Sequence, residues 1–129
     1  MKKSHYELGK DGEVRAHEYL ESHGYRIIVN NYISPYGEID VIAEKKKTIC
    51  FVEIKTRSSK AYGEPREAVE NRKQRKIIQT AEHYIQAIKP RAKAFRFDVV
   101  ELMYDMQAKK FDSITIIENA FIKEEGINC

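Results

Sequence analysis

Three carboxylates and one lysine interrupt two apolar segments in the first half of the chain. Glu38 and Asp40 lie in the segment that ends at Lys45, and Glu53 and Lys55 lie in the next one. Charged side chains are rarely buried in central strands unless they are paired. Two carboxylates on one face can hold a hard cation such as Mg²⁺, and a water on that cation can act as a nucleophile. The pattern therefore indicates metal-assisted hydrolysis.

Strand alternation and the connecting turn decide whether these acids meet. Successive side chains point to opposite faces, which predicts Glu38, Asp40 and Ile42 on one face and Ile39 on the other. A two-residue turn at Lys46-Lys47 places Asp40 opposite Glu53, and Glu38 opposite Lys55. A four-residue turn would keep the face but shift the pairing. A three-residue turn would put Asp40 and Glu53 on opposite faces and remove the site.

Two adjacent carboxylates repel each other, so a positive charge must lie nearby. Lys55 supplies one such charge, and a divalent cation would supply the rest. Glu38 is predicted to be a supporting partner of Lys55 rather than a ligand. The alternative is that Asp40, Glu53 and Lys55 form a structural ion pair on an exposed face of the sheet.

A fourth acid, Glu13, lies beside the inward stripe of the first predicted helix and either points toward the same site or is solvated. Gly9 and Gly12 in this helix lower its intrinsic stability. That cost is tolerable if the helix must approach another element closely.

The elements that would position these residues follow the order α-β-β-β-α-β-β, typical of an α/β domain. Gly24 favours a helix end, and apolar periodicity together with turn residues defines the rest. The predicted helices are Tyr6–His23 and Arg66–Lys89, and the predicted strands are Tyr25–Ser34, Glu38–Lys45, Thr48–Thr56, Ala94–Tyr104 and Phe111–Asn119. We expect a single domain over residues 1–129, with its core at about 6–119 and a frayed segment at Lys123–Cys129.

Composition narrows the class of protein. The chain has 129 residues, a net charge of +3 and 33% charged residues, which suits one soluble domain with a weak preference for polyanions. Cys50 lies in an apolar run and Cys129 is the last residue, so we expect a reducing compartment and no zinc site. The opening residues MKKSHYELGK lack an apolar stretch, and no segment predicts a membrane span. The expected location is the cytoplasm.

Two ordered motifs carry a family resemblance: Gly37-Glu38-Ile39-Asp40 and Phe51-Val52-Glu53-Ile54-Lys55-Thr56-Arg57. With Gly9-x-x-Gly-Glu-x-x-Ala16, Lys73-Gln74-Arg75-Lys76, Ala81 and Tyr84, they resemble the signature of the YraN-like family of predicted endonucleases. The resemblance extends to about Asn119. That family is similar to archaeal Holliday-junction resolvases and other PD-(D/E)xK nucleases, although Ile39-Asp40 here lacks the proline of the "PD" half.

The resemblance implies a restriction-endonuclease-like fold, with a mixed central sheet flanked by helices. It implies that Asp40 and Glu53 are metal ligands, that the Ile54 carbonyl is a third, and that Lys55 assists the attacking water. Glu13 would be the helix acid of the resolvase-like branch. Gln74 would approach the site or a phosphate, unless it is a surface residue.

The resulting hypothesis is an endonuclease that uses Mg²⁺ (or Mn²⁺) to hydrolyse DNA, with branched or structured DNA as a plausible substrate. The alternative is a nucleic-acid-binding module of repair or recombination with weak or no cleavage. Resemblance to two-fold resolvases favours a homodimer. Basic residues would hold the DNA backbone, namely Lys45, Arg57, Arg72, Lys73, Arg75 and Lys76.

Overall fold

A computed structural model describes residues 5–58 and 71–120, with side chains from residue 7 onward. Its elements are α1 (His5–Ser22), β1 (Arg26–Ser34), β2 (Gly37–Lys45), β3 (Thr48–Arg57), α2 (Asn71–Ile88), β4 (Ala94–Asp105) and β5 (Lys110–Ile117). The predicted order is confirmed. The predicted helix start at Arg66 and the predicted fraying of Lys123–Cys129 lie outside the described residues.

The five strands form one mixed sheet in sequential order, β1-β2-β3-β4-β5. All neighbours are antiparallel except β3 and β4, which are parallel and are joined through α2. α2 covers a core that includes Phe51 and Val99, and α1 covers a second core that includes Val52 and Val100. The sheet is therefore buried on both faces, which confirms the predicted α/β architecture. In the described ranges neither helix is apolar enough to cross a bilayer.

The β2–β3 turn consists of Lys46 and Lys47, whose φ angles are 50° and 66°. Two consecutive positive φ angles match the type I′ turn, whose twist suits a two-residue hairpin. The register follows directly, with Lys45 opposite Thr48 and Val41 opposite Val52. The two-residue turn predicted from the sequence is confirmed. Asp40 and Glu53 are the residues that immediately follow the last pair of this register, Val41 and Val52.

β2 and β3 separate just beyond that register. β2 stays paired with β1 as far as Gly37, whereas its pairing with β3 ends at Val41 and Val52. From Glu53 to Arg57, β3 is paired with β4. The sheet therefore opens between the first half of β2 and the last half of β3, and Asp40 stands at the start of this opening.

The predicted alternation along β2 is wrong at Ile39. Ile39 packs in the same core as Ile42, on the α2 face, although three positions separate them. Asn31 of β1 lies between the residues that pair with Val41 and Ile39, and its φ is 56°. A left-handed residue breaks the two-residue period of β1, and β2, which stays paired with β1 on both sides of this point, changes its alternation with it.

Gly12 brings α1 against β3, because a Cβ at this position would collide with Thr56 Oγ1. Gly9 has no neighbour within 4 Å of the same hypothetical atom. The expectation that a helix glycine permits close approach therefore holds for Gly12 and not for Gly9.

We expect Gly12→Ala to lower the free energy of unfolding by about 1–3 kcal/mol, the range typical of overpacking. Gly9→Ala, the matched control, should instead raise it by up to about 1 kcal/mol through helix propensity. Adding Thr56→Ala to Gly12→Ala should recover part of the loss. Urea unfolding of the four proteins measures this, and equal effects of the two single substitutions would contradict the close approach.

Candidate metal and phosphate site

Asp40 spans the opening between β2 and β3. Its Oδ2 accepts a hydrogen bond of 2.8 Å from the backbone N–H of Ile54. The N–H and C=O of one strand residue point to the same side of the strand, so the Ile54 carbonyl also faces this opening. The carboxylate thus takes the place of a strand neighbour and brings a backbone oxygen into the site.

Glu53 lies beside Asp40 on the α2 face of the sheet and is 6% exposed. Burial, followed by the hydrogen bond to Glu53 and the repulsion of its charge, raises the pKa of Asp40 to about 8. Burial opposes ionisation of Glu53 too, but its hydrogen bond to Asp40 and the Lys73 ammonium lower its pKa. The two carboxyl groups therefore share one proton at neutral pH in the absence of metal. The prediction that Asp40 and Glu53 meet on neighbouring strands is confirmed.

Lys73, the third residue of α2, supplies the positive charge next to this pair. Its Nζ lies 2.9 Å from Glu53 Oε2. That oxygen is buried and, within the described residues, has no hydrogen bond of good geometry. Lys55 reaches the same place from β3, and burial together with the neighbouring Lys73 lowers its pKa.

The donor set fits a hard divalent cation. Asp40 and Glu53 offer two carboxylates, and Ile54 offers a backbone carbonyl, all of them oxygen donors. Among the residues that the structure describes, no three His, Cys, Asp or Glu side chains cluster as a metal cage. Mg²⁺ commonly binds through one or two carboxylates and keeps several waters, and therefore needs no such cage.

Asp98 is another buried acid of this molecule, and its contacts are those of a structural carboxylate. Asp98 is fully buried on the α1 face and accepts hydrogen bonds from Arg96, from Tyr25 Oη and from the Asn119 N–H. Every donor is at 2.9–3.1 Å. Asp98 is satisfied within the fold, whereas Glu53 Oε2 is buried and has no hydrogen bond of good geometry within the described residues, although the half-exposed Lys73 ammonium lies against it.

The sequence interpretation missed Glu101, a third acid on the α2 face. It is 5% exposed, and its Oε2 accepts a hydrogen bond of 3.1 Å from Arg57 Nε. The parallel register places it beside Lys55. The signal was present, because Glu101 interrupts an apolar strand just as Glu53 does. Arg57, predicted to contact DNA, is engaged in this ion pair.

Two other predicted site residues lie apart from the acids. Glu38 is exposed and faces Ile33 in the register of β1, so it is not the predicted partner of Lys55. Lys45 lies at the far end of β2, next to the turn, where its Nζ is 3.9 Å from Glu118 and 4.8 Å from the Tyr25 ring centroid. The divergence of β2 from β3 explains the first difference, because Glu38 is carried away from Lys55.

The predicted site residues on the two helices lie in different places. Gln74 is half-buried on α2 and precedes the buried Ile77 and Ile78 by one turn, so it lies on the sheet side near Lys73. Glu13 is half-buried on α1, which packs on the face opposite Glu53. Along the start of α2, Arg72, Arg75 and Lys76 are exposed together with Lys73.

A family model described as "Uncharacterised protein family UPF0102" matches residues 12–102, which include both site acids, both site lysines and Glu101. The chain belongs to this family. A UPF0102 protein of Caldicellulosiruptor saccharolyticus is 43% identical over 115 residues, covering 89% of this chain and 97% of the relative. A UPF0102 protein of Chlorobium limicola is 43% identical over 124 residues, covering 94% and 96%. One from Alkaliphilus metalliredigens is 46% identical over 114 residues, covering 88% and 96%.

Proposed function

We propose that this UPF0102 protein is an endonuclease that uses Mg²⁺ (or Mn²⁺) to hydrolyse phosphodiester bonds in DNA. The observation that carries the proposal is the Asp40–Glu53 pair at the strand opening, with the buried Glu53 Oε2 lacking a hydrogen bond of good geometry. A structural acid in the same molecule, Asp98, is fully satisfied by its neighbours. This contrast supports a role for Glu53 in binding a metal ion.

The chemistry follows from the residues around the opening. Asp40, Glu53 and the Ile54 carbonyl would hold the ion, which supplies charge for the phosphate and lowers the pKa of water. Lys55 projects from β3 into the same space and is half-buried, so its ammonium can orient the attacking water and stabilise the negative charge that develops on the phosphate. Gln74 would hydrogen-bond a phosphate oxygen from the helix side.

The start of α2 provides the surface for the DNA backbone. Arg72, Arg75 and Lys76 are exposed there, and Lys73 links this surface to the acids. Basic side chains on phosphates fix the position of a duplex without reading its sequence. On this proposal the substrate is branched or structured DNA, and a homodimer would present two such surfaces to it.

The test is cleavage of a panel of branched and linear DNAs by the wild type and by Lys55→Met, with and without Mg²⁺ or Mn²⁺. We expect metal-dependent cleavage by the wild type and a loss of about 10²–10³-fold in Lys55→Met, the cost typical of removing a group that stabilises transition-state charge. Lys45→Met, which removes a remote lysine, is the control and should cleave normally.

Two outcomes count against the nuclease. If Lys55→Met cleaves as well as the wild type, the activity does not come from this site. If both proteins bind DNA and neither cleaves it with either metal, the protein is a binding module instead.

A further inference from the structure

The Lys73 ammonium occupies the place that a metal ion would need. It lies 2.9 Å from Glu53 Oε2, an atom with no well-aligned hydrogen bond in the described chain. The ammonium and a divalent ion would both be attracted to this same oxygen. Two cations cannot both lie against one buried carboxylate oxygen without strong repulsion.

The two site lysines differ in how freely they can leave. Lys55 rises from the middle of the sheet surface, between β2 and β4, and is half-buried. Lys73 starts from the first turn of α2, and its side chain is 44% exposed. A lysine has a long flexible stem and a compact charge, so Lys73 can swing into solvent without moving the backbone.

We propose that Lys73 is a displaceable counter-ion that exchanges Glu53 for a phosphate of the nucleic acid when the metal binds. In the metal-free protein its ammonium neutralises Glu53. Entry of the metal expels it, and the nearest anion available on the exposed start of α2 is then a backbone phosphate. The inference rests on the metal site of the proposed function and assigns to Lys73 a role distinct from that of Lys55.

This exchange has two consequences. The affinity for Mg²⁺ is reduced in the free protein, because each binding event must break the Lys73–Glu53 ion pair. Lys73 also contributes to DNA binding only after the metal has released it. Metal and DNA therefore favour each other's binding through one side chain.

Calorimetric titration with Mg²⁺ of the wild type, Lys73→Met and Arg75→Met tests the first consequence. In the wild type the ion must displace the Lys73 ammonium from its 2.9 Å contact with Glu53 Oε2. Removing that competing charge should therefore give at least about tenfold tighter Mg²⁺ binding in Lys73→Met. Arg75→Met removes the same charge from an exposed position of the same helix and should stay within about twofold. The Lys73→Met gain should persist at high salt, because competition at a buried atom is poorly screened.

DNA binding tests the second consequence in a Lys55→Met background, where cleavage is suppressed. Adding Lys73→Met should weaken DNA binding in the presence of Mg²⁺ and leave it nearly unchanged in its absence. In wild-type protein, the NMR signal of the Lys73 side chain should shift on Mg²⁺ titration, and this measurement needs no variant.

The outcomes distinguish failure of the Lys73 exchange from failure of the metal site. If Lys73→Met and wild type bind Mg²⁺ equally, or the Lys73 signal is unmoved at saturating Mg²⁺, the exchange is wrong while the metal site stands. If neither protein binds Mg²⁺ or Mn²⁺, both the exchange and the metal site are wrong. Binding by Lys73→Met alone would support the exchange in its strongest form.

Discussion

Replacing Glu53 by glutamine is expected to weaken Mg²⁺ binding by more than about 100-fold, beyond the 10–100-fold typical of losing a residue that only supports a ligand. The substitution removes one of two carboxylates while nearly preserving shape and burial. Metal-dependent cleavage should fall below detection as a result. Calorimetry and the cleavage panel measure both effects, with Glu44→Gln on the far half of β2 as the control.

The melting temperature of Glu53→Gln separates a metal site from a structural ion pair. In metal-free protein the substitution removes the ion-pair partner of Lys73, but it also removes the negative charge that repels the ionised Asp40. These effects oppose each other, so we expect a small change without metal and the loss of the stabilisation that Mg²⁺ gives the wild type. A large drop in melting temperature, with no response to Mg²⁺ in either protein, would identify Glu53 and Lys73 as a structural pair.

The second large effect concerns pH, because the pKa of Asp40 is raised to about 8 by burial and by Glu53. In the unfolded chain an aspartate has a pKa of about 3.9. Between these values the folded protein holds a proton that the unfolded chain does not. The contribution of Asp40 to stability is therefore full below pH 4 and is lost as pH rises through about 8, at up to about 1.4 kcal/mol per pH unit.

Asp40→Asn should remove this dependence, so the difference between wild type and variant is the quantity to measure. Glu53 has a lowered pKa, and its contribution changes only on the acid side, where stability is lost as pH falls. Denaturant unfolding of metal-free wild type and Asp40→Asn from pH 5 to pH 9 gives the comparison. Parallel curves would show that Asp40 titrates normally.

Metal binding should release the proton that Asp40 holds in the metal-free protein. A carboxyl group must be ionised to bind a metal, so below pH 8 the wild-type affinity for Mg²⁺ should fall by about tenfold per pH unit. Calorimetry in buffers of different ionisation enthalpy should detect release of a proton on binding. Affinity that is flat between pH 6 and pH 8 would contradict a shared proton at Asp40.

The part of the site that could be predicted from sequence is the part set by local geometry. Thirteen positions separate Asp40 from Glu53, and the turn at Lys46 and Lys47 fixes which residues face each other. Period-two alternation and one turn length were enough to place the acids together. The same reasoning failed for Ile39, because it gave no sign of the left-handed backbone of Asn31 in β1.

The rest of the site depends on contacts between distant parts of the chain. The ion pair of Lys73 with Glu53 requires the position of α2 over the sheet, and that of Arg57 with Glu101 requires the parallel register of β3 and β4. Neither arrangement is encoded in a short repeat or a turn. Lys73 was therefore assigned to the DNA surface from its neighbours in sequence, although its ammonium lies against the acid.

The parallel pairing of β3 and β4 also predicts that the site assembles in two stages. β1, β2 and β3 form a meander of local hairpins, whereas β4 can join β3 only after the chain has crossed over through α2. Contacts close in sequence form faster than distant ones, because their loops cost less entropy to close. We therefore expect Asp40 and Glu53 to become neighbours while water still solvates both charges. The docking of α2 should then bury both acids and bring Lys73 against Glu53 in the same step, so we expect the acid pair not to be buried without its counter-ion.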